Sequence, residues 1–154
     1  MNVKKQFFYG NQDWITPYPL IDALGGAQSF DLDPCGAEVM PWSVAKQHYT
    51  PNQDGLKQPW FGSVFLSPPW GFITSEWVKK AIEHGDVTAL LPCRSDTKLF
   101  QDDVLPNAHA MLFIKGRVNF HNTNGYSYGS STSPYPPDQA LLDNIQKAPD
   151  LRLH

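Results

Sequence analysis

The sequence lacks several features that mark common classes of protein. Its two cysteines, Cys35 and Cys93, form no CxxC motif, and its five histidines form no HExxH motif, so we expect neither a disulfide framework nor a metal site. No apolar run approaches the length of a membrane helix, and the start of the chain is too polar for a signal peptide. We therefore expect a cytoplasmic protein that binds no metal and no membrane.

An excess of positive charge is also absent. The formal net charge is −3, whereas proteins that coat duplex nucleic acid usually carry a strong basic excess. Any contact with a phosphate backbone must therefore come from a local basic patch. The length of 154 residues and the hydrophobic content of 41% predict one folded domain over residues 1–154.

Short apolar runs alternate with helical patterns, which predicts an α/β fold with a mostly parallel sheet. The predicted strands are residues 30–34, 62–67, 87–91 and 110–114. Residues 44–50 fit either a strand or a broken helix. By composition, the chain should begin with an irregular arm and end with a long loop and a weakly ordered tail, over residues 1–15, 121–137 and 138–154.

Helical spacing of apolar residues predicts one strong helix over residues 74–84, closed by Gly85. On this helix, Lys79-Lys80 should cover the solvent face. Thr16-Pro17 predicts the start of a shorter helix, with Thr16 as the capping residue. Residues 97–104 also fit a helix.

Two unusual segments follow predicted strands, Asp33-Pro34-Cys35-Gly36 and Ser67-Pro68-Pro69-Trp70. Ligands of open parallel sheets bind beyond the carboxyl ends of the strands, so both segments are candidates for a site. Each also has a plain structural alternative. Asp33 fits a local turn, Cys35 fits a small buried residue without chemistry, and the second segment fits a proline-rich strand exit.

The chemistry of Ser67-Pro68-Pro69-Trp70 suits an aromatic amine. The exocyclic amine of adenine or cytosine is a poor nucleophile because its lone pair is delocalised into the ring. The Ser67 side-chain oxygen and the Pro68 carbonyl can accept hydrogen bonds from the two N–H groups of this amine. The paired prolines fix the backbone that carries these two acceptors. Trp70 offers a flat face for a base that has left the duplex.

The order of these motifs resembles that of the phage-type DNA N-6-adenine methyltransferases, a compact family of S-adenosylmethionine-dependent enzymes. The resemblance covers roughly residues 12–120. The matching stretches are residues 13–17, 30–35, 54–56 with Trp60, 64–71, 77–81, 91–97 and 116–120. The resemblance implies a reduced Rossmann-like methyltransferase fold, DNA as the partner, and a phage or prophage protein in a bacterial host.

The resemblance also implies roles for individual residues. Ser67, Pro68, Pro69 and Trp70 match the family's catalytic loop, and their target is expected to be adenine in DNA. Contacts to S-adenosylmethionine are implied for Thr16, Pro17, Asp31, Asp33, Pro34, Cys35, Asp54 and Leu56. Of these, Asp54 fits a turn residue equally well.

Candidates for phosphate contacts are Arg94, Lys98 and Arg117, although exposed basic residues are usually only solvated.

Ser67 stands where adenine enzymes more often carry Asp or Asn, and serine is commoner in enzymes that methylate the cytosine amine. Cytosine N4 therefore stays open as the target. Two further alternatives are a non-catalytic nucleic-acid-binding remnant of the fold and a small-molecule methyltransferase. The sequence leaves open the oligomeric state and the presence of a restriction partner.

Overall fold

The computed structural model describes residues 14–121 and 127–128. The predicted tail, nearly all of the predicted arm and most of the predicted loop lie outside these residues. A four-stranded parallel sheet has the order β2-β1-β3-β4. Its strands are β1 (Leu32–Asp33), β2 (Gln47–His48), β3 (Val64–Leu66) and β4 (Val87–Ala89). The fold is therefore mixed α/β with a parallel sheet, as the alternating pattern predicts.

The helices agree with the prediction in position, with one correction. They are α1 (Tyr18–Ala23), a 3₁₀ turn (Ala27–Ser29), α2 (Thr74–His84), a π-helix (Leu99–Val104) and α3 (Leu105–Asn107). Both ends of α2 are confirmed, and Gly85 follows it with a φ of 93°. The predicted cap at Thr16 is wrong, because Pro17 occupies the capping position of α1 and no side chain bonds to the helix end there.

Two predictions about strands are resolved. Residues 44–50 contain a strand, β2, rather than a broken helix. The predicted strand over residues 110–114 is wrong, since no residue of that run pairs with a strand in the described part of the chain. Met111, Leu112 and Phe113 are instead exposed. A second, antiparallel pair consists of β5 (Phe120–His121) and β6 (Ser127–Tyr128).

Strand β3 is buried on both faces and places a helix on each side of the sheet. Val64 and Leu66 point to one face and pack with Trp77 of α2. Phe65 points to the other face and packs with Ile21 of α1. Because side chains alternate along a strand, a continuous apolar run of this kind fits a central parallel strand.

The chain order of the strands reverses between β1 and β3. From β1 the chain adds β2 on one side, and it then returns to add β3 and β4 on the other side. Leu32 lies opposite Val64, so β1 and β3 end at the same edge of the sheet. A crevice forms at such a switch point, beyond the carboxyl ends of the strands.

Candidate active site

The structure brings the two unusual segments to one edge of the sheet. Residues 33–35 form the end of β1 and the turn after it, and residues 67–70 follow β3 directly. Since β1 and β3 are neighbouring parallel strands, both segments leave the sheet at the switch point. This edge is therefore the candidate active site.

The backbone after Ser67-Pro68-Pro69-Trp70 is held by the first residue of α2. The Thr74 hydroxyl donates a hydrogen bond to the Pro69 carbonyl at 2.7 Å and accepts one from the Gly71 N–H at 2.9 Å. Thr74 is buried. Gly71 has a φ of 146°, a conformation that residues with a side chain rarely adopt. The loop is thus preorganised by helix α2.

Three groups in this loop are available to a ligand. In residues 14–121 and 127–128, neither the Ser67 hydroxyl nor the Pro68 carbonyl makes a hydrogen bond. Trp70 is 47% exposed, and its ring stands edge-to-face against Phe120 with the centroids 5.5 Å apart. The loop therefore presents two acceptors and an aromatic surface.

A pocket lies at the same edge of the sheet, beyond the carboxyl ends of β1 and β2. The empty space at this site, open solvent included, is about 190 Å³. Its lining residues are Pro34, Cys35, Gly36, Tyr49, Thr50, Pro51, Asp54, Gly55 and Trp77. Because β1 stands between β2 and β3, the turn after β1 separates the pocket from residues 67–70.

The floor of the pocket depends on a close approach at Gly55. A side chain there would collide with the Pro34 carbonyl oxygen, so only glycine allows the two turns to touch. The preceding residue, Asp54, is buried and has a φ of 60°, an uncommon value for a non-glycine residue. Its carboxylate forms an ion pair with Lys57 at 3.0 Å.

Two titratable groups lie at the end of β1, the buried Asp33 and the partly buried Cys35. Burial raises the pKa of Asp33 to about 7, although the Cys35 N–H donates a hydrogen bond to its carboxylate at 2.9 Å. Burial also raises the pKa of the Cys35 thiol, and the nearby Asp33 charge adds to that effect. Cys35 is therefore a neutral thiol at this site, not a nucleophile.

Lys80 of α2 holds the turn that forms one side of the pocket, so the prediction that it covers the solvent face is wrong. Its ammonium group donates to the carbonyls of Leu56 and Gln58, each at 2.6 Å, and to that of Gly55 at 3.3 Å. It also lies 5.3 Å from the centre of the Trp60 ring. Burial lowers the pKa of Lys80, which the charges of Asp54 and Glu83 oppose.

Replacing Lys80 with methionine is expected to lower the free energy of unfolding by about 2–3 kcal/mol, because the carbonyls lose a charged donor. Urea denaturation at neutral pH measures the change. Lys79→Met is the matched control, since Lys79 is exposed on the same helix, and it should change stability by less than about 0.5 kcal/mol. Equal losses in the two variants would contradict this assignment.

A hydrogen bond, a β-bridge and two aromatic contacts link the segment around Thr16-Pro17 to the loop after β3. The Trp42 indole donates to the Thr16 carbonyl at 2.8 Å, and the Trp42 ring stands against His121. Residues Ile15 and His121 form an antiparallel bridge, and Phe120 contacts Trp70. The segment before α1 is thus anchored to the same side of the molecule as the loop after β3.

Five of the eight predicted cofactor residues do not line the pocket, namely Thr16, Pro17, Asp31, Asp33 and Leu56. Asp31 lies at the amino end of β1, the opposite edge of the sheet, where its carboxylate binds Lys46 at 2.8 Å and the Ser63 N–H at 2.9 Å. Those hydrogen bonds hold the pKa of Asp31 below its ordinary value. Leu56 does not line the pocket, and its side chain packs against the core beside Trp77.

The three candidate phosphate ligands, Arg94, Lys98 and Arg117, are exposed. Arg94 and Lys98 follow the carboxyl end of β4, next to β3, and Arg117 precedes Phe120.

Among the described residues, no helix is long and apolar enough to cross a membrane. The same part of the chain contains no group of three or more His, Cys, Asp or Glu placed to hold a metal ion.

Sequence reasoning missed part of the pocket lining. Tyr49, Thr50 and Pro51 follow β2, so they belong to the ligand-binding edge once β2 is known to be a strand. Trp77 fits the helical spacing of a core residue, and that spacing gives no sign of the pocket. Its indole nitrogen is buried with no hydrogen-bond partner in the described residues, which leaves a donor for a ligand.

Comparison with known proteins gives one finding. The model of a family described as DNA N-6-adenine-methyltransferase (Dam) matches residues 8–145, which is most of the chain. No curated protein and no solved structure matches the chain.

Proposed function

We propose that this chain, which belongs to the DNA N-6-adenine-methyltransferase (Dam) family, transfers a methyl group from S-adenosylmethionine to the exocyclic amine of adenine at particular sites in DNA. Family membership makes the chain an enzyme that acts on DNA adenine in general terms. The methyl donor, the residues of the site and the selection of particular DNA sites are the proposal.

One observation carries the proposal. The loop with the unbonded Ser67 hydroxyl and Pro68 carbonyl lies at the switch point of a parallel sheet, next to the turn that lines the pocket. S-adenosylmethionine, when bound, supplies a methyl group that its sulfonium already activates. The protein's tasks are then to hold the acceptor nitrogen in line and to localise its lone pair.

Ser67 and Pro68 perform the second task. A hydroxyl oxygen and a carbonyl oxygen held at fixed angles accept hydrogen bonds from the two amine N–H groups and favour a tetrahedral nitrogen, which releases one of these protons to solvent once it carries the methyl group. The bond from Thr74 to the Pro69 carbonyl keeps the loop in place during the reaction. Trp70 provides the surface on which the base lies, because a base cannot be reached while it is stacked in the duplex.

The residues of the pocket fit the nucleoside part of the cofactor. Asp54 provides a carboxylate that accepts hydrogen bonds from ribose hydroxyls or the adenine amine, and Trp77 provides an aromatic wall and a buried donor. The pocket is small, so it suits only part of the cofactor. Asp33 and Thr16-Pro17 are proposed for its charged methionine end.

The sheet order supports a reduced Rossmann-like methyltransferase fold, because the crevice at the switch point is where such folds bind their cofactors. Arg94, Lys98 and Arg117 are proposed to bind phosphates. With a net charge of −3, binding must depend on such local contacts, so affinity for DNA should fall steeply with salt.

The experiment is transfer of labelled methyl groups from S-adenosylmethionine to unmethylated DNA, followed by digestion to nucleosides and mass analysis. The expected product is N6-methyladenine. Ser67 at the first position of the loop favours one second candidate, so N4-methylcytosine would move the assignment to cytosine. Label incorporation that ignores added DNA would indicate a small-molecule substrate. Absence of binding heat with S-adenosylmethionine would indicate a non-catalytic remnant.

A further inference from the structure

Phe72, two residues after Trp70, is the most exposed large hydrophobic side chain in the described part of the chain. It is 91% exposed, compared with 47% for Trp70. The next residue, Ile73, packs against the core, so the apolar exposure at this point does not extend to Ile73. The ring of Phe72 makes no aromatic contact within the described residues.

The backbone that carries Phe72 is held in place. The Ser75 hydroxyl donates to the Phe72 carbonyl at 3.2 Å, and the Thr74 N–H donates to the Gly71 carbonyl at 3.2 Å. Together with the two bonds of the Thr74 hydroxyl, these fix the turn on the first residues of α2. These bonds therefore hold the backbone of Phe72 in one position while its ring stays exposed to solvent.

We infer that Phe72 enters the DNA duplex beside the extruded adenine and occupies the space that the base leaves. The inference rests on the proposed function, which requires the target base to leave the stack. The Cα atoms of Trp70 and Phe72 lie within about 7.6 Å of each other because two trans peptides join them. The residue that receives the base and the residue that replaces it are thus neighbours on one rigid loop.

The physical gain is the burial of an apolar ring in the base stack. Apolar side chains inserted between base steps offset the cost of unstacking, and phenylalanine is a common choice. The exposed cations Arg94 and Lys98 follow β4 on the side of the sheet where this loop lies, and they suit the phosphates on either side of an opened step. The Phe72 ring and the cations of Arg94 and Lys98 therefore suit the same partner, duplex DNA.

The test compares two synthetic duplexes that carry the site mapped from the wild-type product. In one the target adenine is paired, and in the other it faces an abasic position, so no base pair has to be broken. Phe72→Ala should lower kcat/KM on the paired duplex by about 10- to 100-fold, the amount that loss of a buried phenylalanine predicts. On the abasic duplex its activity should lie within about threefold of wild type.

Two variants serve as controls. Phe61→Ala removes an exposed ring at the amino end of β3, on the opposite edge of the sheet, and should match wild type on both duplexes. Phe72→Leu keeps an apolar side chain and should keep most of the activity on the paired duplex. Equal losses of Phe72→Ala on both duplexes, or no loss on the paired one, would overturn the inference. A wild-type protein that methylates neither duplex would overturn the proposed function itself and the inference with it.

Discussion

Ser67→Ala is expected to lower kcat for methyl transfer by about 100- to 1,000-fold, the usual effect of removing one preorganised polar group from a reaction centre. The Ser67 hydroxyl has no hydrogen-bond partner in the described residues, so its removal breaks no bond there that the fold needs. The affinity for S-adenosylmethionine should stay near the wild-type value, because the proposal assigns Ser67 to the acceptor amine and not to the cofactor. Single-turnover transfer and calorimetry measure the two quantities.

Ser63→Ala is the matched control for this variant. Ser63 and Ser67 flank the same strand, β3, and only Ser67 lies at the candidate site. The control should therefore retain wild-type kcat. Full transfer activity in the double variant Ser67→Ala, Trp70→Ala would rule out residues 67–70 as the reaction centre.

Asp33→Asn is expected to make the protein more stable above neutral pH and to weaken its binding of S-adenosylmethionine. Burial raises the pKa of Asp33 from 3.8 to about 7. A raised pKa means that the native state favours the protonated carboxyl, so stability is greatest below about pH 4 and falls as the pH rises to about 7. Each pKa unit corresponds to about 1.4 kcal/mol, so the charged carboxylate costs the native state about 4 kcal/mol at pH 8.

Asparagine keeps an oxygen that can accept from the Cys35 N–H and carries no charge. We therefore expect the free energy of unfolding to rise by about 2–4 kcal/mol at pH 8 and to change little near pH 4. Urea denaturation of the two proteins across this pH range measures the difference. At pH 8, where Asp33 is charged, cofactor affinity should fall at least about tenfold, because the proposal places this carboxylate beside the cationic end of the cofactor, a contact worth on the order of 1.4 kcal/mol or more.

Asp31→Asn is the control for Asp33→Asn. Asp31 lies in the same segment at the opposite edge of the sheet, and its pKa is lowered by Lys46 and Ser63. Its replacement should therefore reduce stability at neutral pH, the opposite sign, and leave cofactor binding unchanged. A less stable Asp33→Asn protein at pH 8 would contradict the cost assigned to its buried charge.

The parts of the fold that the sequence predicts are those with a strong local signal. Helix α2 has an amphipathic pattern and a terminal glycine, and both of its ends are confirmed. Strand β2 has no such signal because Gln47 and His48 are exposed at the edge of the sheet. The run 110–114 is apolar enough for a central strand, but hydrophobicity cannot show whether a neighbouring strand is available to pair with it.

The same limit applies to the site. Asp31 and Asp33 are two residues apart and chemically alike, and only the direction of β1 and the position of Lys46 distinguish them. Lys80 has the spacing of a solvent-facing residue, yet a turn more than 20 residues earlier in the chain folds over it. The position of residues 67–70 at a strand end could be predicted, because the apolar run before them is a buried strand that stops at two prolines, and their role stays a prediction.

The order of the strands gives the molecule a modular character. Apart from Thr16-Pro17 and Trp77, the groups proposed for the methyl donor follow β1 and β2, whereas those proposed for the acceptor follow β3. Under the proposed function, an exchange of the residue at position 67 would therefore act on the acceptor amine without touching the turns after β1 and β2 that line the pocket.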